Sequence, residues 1–161
     1  MRKLFFIISL ALLSLLPTVA SAKPGETSVG ILAGYNSKTS SGLAGIYLQY
    51  QCNPWLRLSP DVQTLFKKNN LSAFHINGNA HFLIPVQSNM NFYPLAGITY
   101  QSWKYNNQDV EKDNINRFGL NVGCGYDIKV TPALKFMVEG KYSLVKDATS
   151  FGLSIGIGYI F

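Results

Sequence analysis

The sequence predicts an all-β chain: an eight-stranded antiparallel transmembrane β-barrel preceded by a cleaved signal peptide. Three observations predict it. Apolar and polar residues alternate through most of the chain after residue 22, and helical periodicity is absent there. On four segments, aromatic residues recur eight positions apart on the apolar face. The strand charges fall on the opposite face.

The N-terminus reads as an export signal. Arg2 and Lys3 precede an apolar run from Leu4 to Leu16, then the breaker Pro17 and the small residues Ala20, Ser21 and Ala22. Cleavage is expected between Ala22 and Lys23, giving a signal peptide of residues 1–22 and one domain of residues 23–161. The run is too short to cross a ~30 Å bilayer as a helix, and no later run reaches the required length. Without Arg2 and Lys3 the 14 basic residues become 12, against 8 acidic ones. They are scattered, so nucleic acid is not an expected partner.

Eight strands follow in order. Residues 27–35 put Val29, Ile31, Ala33 and Tyr35 on one face, and residues 42–52 oppose Ile46, Leu48, Tyr50 and Cys52 to Tyr47, Gln49 and Gln51. Asn53-Pro54 marks a turn. Residues 55–66 oppose Leu58, Pro60, Val62 and Phe66 to Arg57, Ser59, Asp61 and Gln63. Pro60 predicts a bulge, because it has no amide for the ladder. Residues 67–70 are expected to loop.

Residues 71–84 oppose Phe74, Ile76, Ala80 and Phe82 to His75, Asn77, Asn79 and His81; Pro85 ends them. Residues 90–103 carry Phe92, Ala96, Ile98 and Tyr100 on the apolar face. Residues 104–114 form the longest loop, with Lys104, Asp109, Glu111, Lys112 and Asp113. Residues 115–128 oppose Phe118, Leu120, Val122, Cys124 and Tyr126 to Arg117, Asn121 and Asp127, and Thr131-Pro132 turns the chain. Residues 133–145 oppose Phe136, Val138 and Tyr142 to Lys135, Glu139 and Lys141. Residues 150–161 oppose Phe151, Leu153, Ile155, Ile157 and Tyr159 to Gly152, Ser154, Gly156 and Gly158.

Either a soluble sandwich or a membrane barrel accommodates such alternation. The aromatic spacing favours the barrel. Phe74 and Phe82, Phe92 and Tyr100, Phe118 and Tyr126, and Phe151 and Tyr159 are each eight residues apart. Eight strand residues span ~26 Å, or about 20 Å along the normal at ~40° tilt. That fits two aromatic girdles bounding a ~25 Å apolar band. The apolar face then meets lipid, and Arg57, Asp61, His75, Arg117, Asp127, Lys135, Glu139 and Lys141 form a structural charged network in the lumen. Hairpin arithmetic places Asp127 opposite Lys135 and Asp61 opposite His75. Inner glycines of the sixth and eighth strands leave room for the long side chains of the seventh, or ease the curvature of the barrel, and the two readings can both hold. Leu32, Leu95 and Ile160 are misfits on the polar face.

With these features the chain resembles small eight-stranded outer-membrane barrels of the OmpA/OmpX type and the porin-family "outer membrane protein beta-barrel domain". The resemblance covers residues 23–161 and includes the terminal Tyr159-Ile160-Phe161. It implies a Gram-negative cell envelope, an outer-membrane location, and Phe161 as the signal read by barrel-assembly machinery. It also implies contact with outer-membrane lipid and lipopolysaccharide. Compared with full-length OmpA proteins, no periplasmic domain is expected.

The function expected is structural or surface-interacting, without catalysis, cofactor or metal. A small-solute or hydrophobic-molecule channel is the alternative, and a lipid-modifying barrel enzyme a third reading. Ser59, Asp61 and His75 form a formal nucleophile, acid and base set, but no motif supports it. His75 and His81 lie ~20 Å apart along a strand, too far to share a metal. Cys52 and Cys124 fall on opposite walls and are expected to be free thiols. The loops are available for surface ligands, and the barrel is expected to be a monomer.

Overall fold

The computed structural model describes residues 23–68, 71–105 and 114–161; the predicted signal peptide and most of the 104–114 loop lie outside them. Among the described residues the strands are β1 (Thr27–Asn36), β2 (Ser41–Asn53), β3 (Leu56–Lys68), β4 (Leu71–Phe82), β5 (Ile84–Gln87), β6 (Met90–Tyr105), β7 (Asn114–Thr131), β8 (Leu134–Val145) and β9 (Ser150–Ile160). β4 and β5 are one stave interrupted at Leu83, since both pair with β6. Each stave pairs antiparallel with its neighbours, and β1 pairs with β9 from Ser28↔Ile160 to Asn36↔Gly152. The sheet is a closed barrel of eight staves with no free edge.

The registers fix its dimensions. A path across the ladders starts at Thr27 and passes Tyr50, Leu58, Ala80, Ala96, Val122, Tyr142 and Phe151. It returns to the first stave at Ser37, whose amide donates to Phe151 O at 2.8 Å. The path has climbed ten residues, from Thr27 to Ser37. Eight staves with that shear tilt about 40° and enclose a cylinder of about 8 Å radius, which side chains fill.

Local chemistry sets the ends of the staves. At the turn end, Asn53 Oδ1 accepts the amides of Trp55 (3.1 Å) and Leu56 (2.9 Å), which closes the β2–β3 turn. At the loop end, Asn36 Oδ1 accepts the Lys38 amide at 2.9 Å. The strands extend into segments expected to loop: β3 runs to Lys68 and β6 to Tyr105.

The faces are inverted relative to a water-soluble protein. On β8, Lys135, Met137, Glu139, Lys141, Ser143 and Val145 are buried, while Phe136, Val138, Tyr142 and Leu144 are exposed. Phe74, Phe82, Phe118, Tyr126, Phe151 and Tyr159 are exposed on the outer wall. Phe92 packs on Tyr126 (centroids 5.0 Å) and Tyr100 on Phe118 (4.9 Å), across one ladder. Phe161 is exposed against Tyr159 (5.2 Å), and its amide donates to Thr27 O. Cys52 and Cys124 are free and exposed.

The misfit apolar residues have interior places. Leu32 joins Leu43, Leu65, Ala73, Trp103, Val145 and Ala148 in a buried cluster that extends to the loop end. Leu95 joins Leu83 and Tyr93 in a second cluster, and Ile160 is buried too.

Two expectations are corrected here. Pro60 causes no bulge: β3 keeps one register with β4 through Pro60↔Gly78, and the β2–β3 irregularity lies at Gln51/Asn53 instead. Nor are β8 side chains the sole occupants of the space that the inner glycines leave. A Cβ on Gly30 would lie 2.5 Å from the Tyr47 ring, one on Gly125 would lie 2.5 Å from the Tyr93 ring, and one on Gly158 would strike the Tyr47 hydroxyl. Of the β8 side chains, Met137 and Val145 are packed this way, 2.8 Å from a Cβ on Gly156 and 2.5 Å from one on Gly119. Two tyrosines from other staves occupy the bare wall.

The Tyr47 hydroxyl is buried with no hydrogen-bond partner, so its removal carries little cost of its own. Gly158→Ala is expected to destabilise the barrel by about 1–3 kcal/mol through overpacking. Most of that loss should vanish in a Tyr47→Phe background. Urea unfolding in lipid vesicles measures both; an equal loss in the two backgrounds would refute the contact.

Candidate functional site

The lumen is where the polar side chains converge, since the outward residues of every stave are predominantly apolar. Its turn half is built around Arg57 on β3. The guanidinium donates from Nη1 to Asp127 Oδ2 at 2.6 Å, reaching across the barrel to β7. Asn91 donates to the other Asp127 oxygen at 2.8 Å. Arg57 Nη2 lies 3.1 Å from His81 Nδ1. A guanidinium has only donors, so Nδ1 accepts and the ring proton sits on Nε2. His81 stacks on Tyr93 at 4.4 Å and 7°, and Arg57 lies over that same ring at 4.9 Å.

Glu139 on β8 links this half to the next. Tyr93 donates its hydroxyl to Glu139 Oε2 at 3.2 Å, and His81 Nε2 lies 3.7 Å from the same oxygen. Lys141 Nζ bridges Glu139 at 3.6 Å and Asp61 at 3.2 Å. Asp61 also accepts from Gln63 (2.7 Å), Asn77 (2.6 Å) and Asn79 (2.9 Å). Asn121 donates to the side-chain oxygens of Asn77 and Asn79, and Ser143 donates to Asn121 at 2.8 Å. One connected polar chain therefore runs from Asn91 to Ser143 through the barrel. Arg57 and Lys141 face Asp127, Glu139 and Asp61, and each of the five is buried. Lys135, also buried, bonds Gln49 Oε1.

The ladders displace both expected hairpin pairs. Asp127 lies opposite Met137 and Lys129 opposite Lys135; Asp61 lies opposite Asn77 and His75 opposite Gln63. Arg117 is placed apart from the lumen network: it is partly exposed at the loop end, 3.0 Å from Asp147. His75 packs at 5.6 Å from Trp103, and its Nε2 has no hydrogen-bond partner. The Ser59, Asp61 and His75 set is not wired as a relay, since Asp61 gives its oxygens to three amides and Lys141. No group of three metal-ligating side chains exists among the described residues.

Sequence reasoning did not assign roles to Tyr47, Tyr93, Asn91 or Gln49. Alternation marks Tyr47 and Gln49 as inward, but their partners lie on non-adjacent staves. The available signal was large inward rings in a barrel with glycines on its inner walls.

Removing one partner of a buried pair leaves the other charge unpaired. Arg57→Ala is expected to cost about 3–5 kcal/mol, and Arg57→Ala with Asp127→Ala less than the sum of the two single changes. Urea unfolding in vesicles checks this; additive losses would show that the two residues do not interact.

Comparison with known proteins places these features in a wider group. No protein of curated function matches the sequence. A solved structure of the N-terminal beta-barrel domain of Pseudomonas aeruginosa OprF superposes with a TM-score of 0.70 at 14% identity, covering 86% of this chain and 98% of that one. Neisserial surface protein A (NspA) gives 0.70 at 21%, covering 85% and 97%. Ail, the attachment invasion locus protein of Yersinia pestis, gives 0.64 at 15%, covering 86% and 100%. These likenesses show the fold. The family model described as "Outer membrane protein beta-barrel domain" matches residues 7–161. The chain with the inverted faces and the paired lumen charges thus belongs to the outer membrane protein beta-barrel domain family.

Proposed function

We propose that this protein is a non-conducting structural element of the outer membrane, with its loop end at the cell surface. The observation that carries the reading is the occupied lumen. A connected chain of hydrogen bonds and close charged contacts from Asn91 to Ser143 crosses the barrel, and Leu43, Leu65, Trp103 and Val145 close over it towards the loop end. An ion entering such a lumen loses its hydration and must break buried pairs to pass.

The outer wall supports the location. Among the described residues the ladders pair each stave with both neighbours, which suits hydrocarbon surroundings, and exposed rings flank a band of aliphatic side chains. Export through a leader cleaved after Ala22, insertion by barrel-assembly machinery acting on Phe161, and a monomeric state belong to the same proposal. The surface part of the role falls to short connections, positions 37–40 and 146–149, together with the stretch between Tyr105 and Asn114. Ail, named for attachment and invasion, shares the fold, which supports contact with surface ligands as the second component of the role.

Planar-bilayer recording tests the proposal. The wild-type protein should give no conductance steps above background, whereas Arg57→Ala with Lys141→Ala, which empties the centre of the lumen, should give measurable steps. Steps from the wild type at ordinary voltages would replace the structural reading with the channel.

A further inference from the structure

The loop-end rim carries a cationic patch where β7, β8, β9 and β1 adjoin. Arg117 Nη1 donates to Asp147 Oδ2 at 3.0 Å, and Lys38 Nζ donates to the Asp147 carbonyl at 2.8 Å. Lys146 precedes Asp147 in the chain and is exposed. Among the described residues, then, Arg117 meets the Asp147 carboxylate, Lys38 its carbonyl and Lys146 adjoins it in sequence, three cations to one carboxylate. On the outward faces of the same staves, next to the patch, Tyr35, Phe118, Tyr142 and Phe151 are exposed. Exposed rings in that position mark the headgroup level of a bilayer, which sets the three cations at the height of lipid phosphates.

Farther from the rim the wall is hollow. A groove of about 290 Å³ runs beside Tyr35 and Leu153, over Ala33 and Ile155. It meets a second groove of about 390 Å³, framed by Ile31, Phe136, Val138 and Ile157. The two share Ala33 and Ile155, so they form one channel along the β1–β9 seam. The hollow has a sequence cause. Ala33 lies opposite Ala44 on one side and Ile155 on the other, so methyl groups stand where neighbouring rows carry longer chains. From Tyr35 to Ile31 the channel covers ~13 Å of strand, or about 10 Å of depth at ~40° tilt, against ~15 Å for one leaflet of a ~30 Å core.

We propose that the patch and the channel together form a binding site for one phosphorylated lipid of the outer leaflet. Lys38, Arg117 and Lys146 take its phosphate, and the channel takes the upper part of an acyl chain. Asp147 already orients Arg117, so a phosphate meets a pre-set fork of donors. A sulfated polysaccharide would match the charge and leave the channel unused; a lipid uses both. The inference rests on the reading that the loop end faces outward.

The test titrates the folded full chain in detergent with purified lipid A and counts bound lipid by native mass spectrometry. The wild type should retain one lipid A. Lys38→Ala with Arg117→Ala and Lys146→Ala should weaken retention at least about ten-fold. Ala33→Phe fills the channel without touching the lumen or the cations, and should weaken retention several-fold. Heat-modifiable gel migration checks that each variant is folded. Unchanged retention in either variant overturns the two-part site. So does equal displacement by inorganic phosphate or by a sulfated oligosaccharide at the concentration of the lipid. Channel activity of the wild type would remove the sealed-lumen reading and leave this measurement intact, so the two can fail separately.

Discussion

Closure of the sheet between β1 and β9 is the constraint on which the rest depends. Nine consecutive residues of β1 pair with β9, from Ser28 to Asn36, and this removes the last free edge. It also fixes the shear, and the shear fixes an interior about 8 Å in radius. That volume is too small for a wide water channel and large enough to demand filling. Tyr47, Tyr93, Met137 and Trp103 fill it, and the charged residues occupy what the rings leave. The glycines are part of the same solution: a ring from one stave needs a bare patch on another, as Tyr47 finds at Gly30 and Gly158.

Among the described residues, the charges are arranged so that no buried carboxylate of the lumen stands without a cation or several amides. Asp127 has Arg57 and Asn91; Asp61 has Lys141 and three amides; Glu139 has Lys141 and Tyr93. In a low-dielectric interior each of these contacts is strong, and each is expensive to break by halves. The network therefore acts as a specificity device more than a source of net stability. It ties β3 to β7 and β8 across the lumen, where no backbone ladder joins them, and so favours the registers that let Arg57 meet Asp127 and Lys141 meet Asp61.

Strand identity and sidedness were legible because alternation is a local signal with a period of two. The same period explains what was not legible. A hairpin shifted by two partners keeps every side chain on its face, so alternation cannot distinguish Asp127 opposite Lys135 from Asp127 opposite Met137. The turn settles it: centring the β7–β8 hairpin one residue later moves each partner by two. The β3–β4 hairpin shows the same displacement, with Asp61 opposite Asn77. Contacts across the lumen were less accessible still, since they depend on shear, which emerges when eight registers are combined. Pro60 misled for a different reason. The missing amide faces β2, where the pairs between Tyr47↔Asp61 and Tyr50↔Leu58 are absent, yet the register resumes unchanged. A lost hydrogen bond and an inserted residue are separate events.

The β1–β9 seam draws these threads together. Its inward face is rich in glycine because the strands there approach closely and receive side chains from elsewhere: a Cβ on Gly34 would lie 2.7 Å from Ser154 Cα, and Gly30 and Gly158 lie under Tyr47. Its outward face is small at Ala33. A stave bare on its inner face contributes little packing to the lumen, so its stability there comes from the two ladders and from what settles against it. Inside, that is a tyrosine of β2. Outside, the wall is hollow at Ala33, and Lys38, where the β1 stave reaches the rim, stands beside Asp147, which precedes the β9 stave. The seam that closes the barrel thus has a bare inner face filled by a tyrosine from another stave, and an outer face of large apolar side chains with one gap at Ala33.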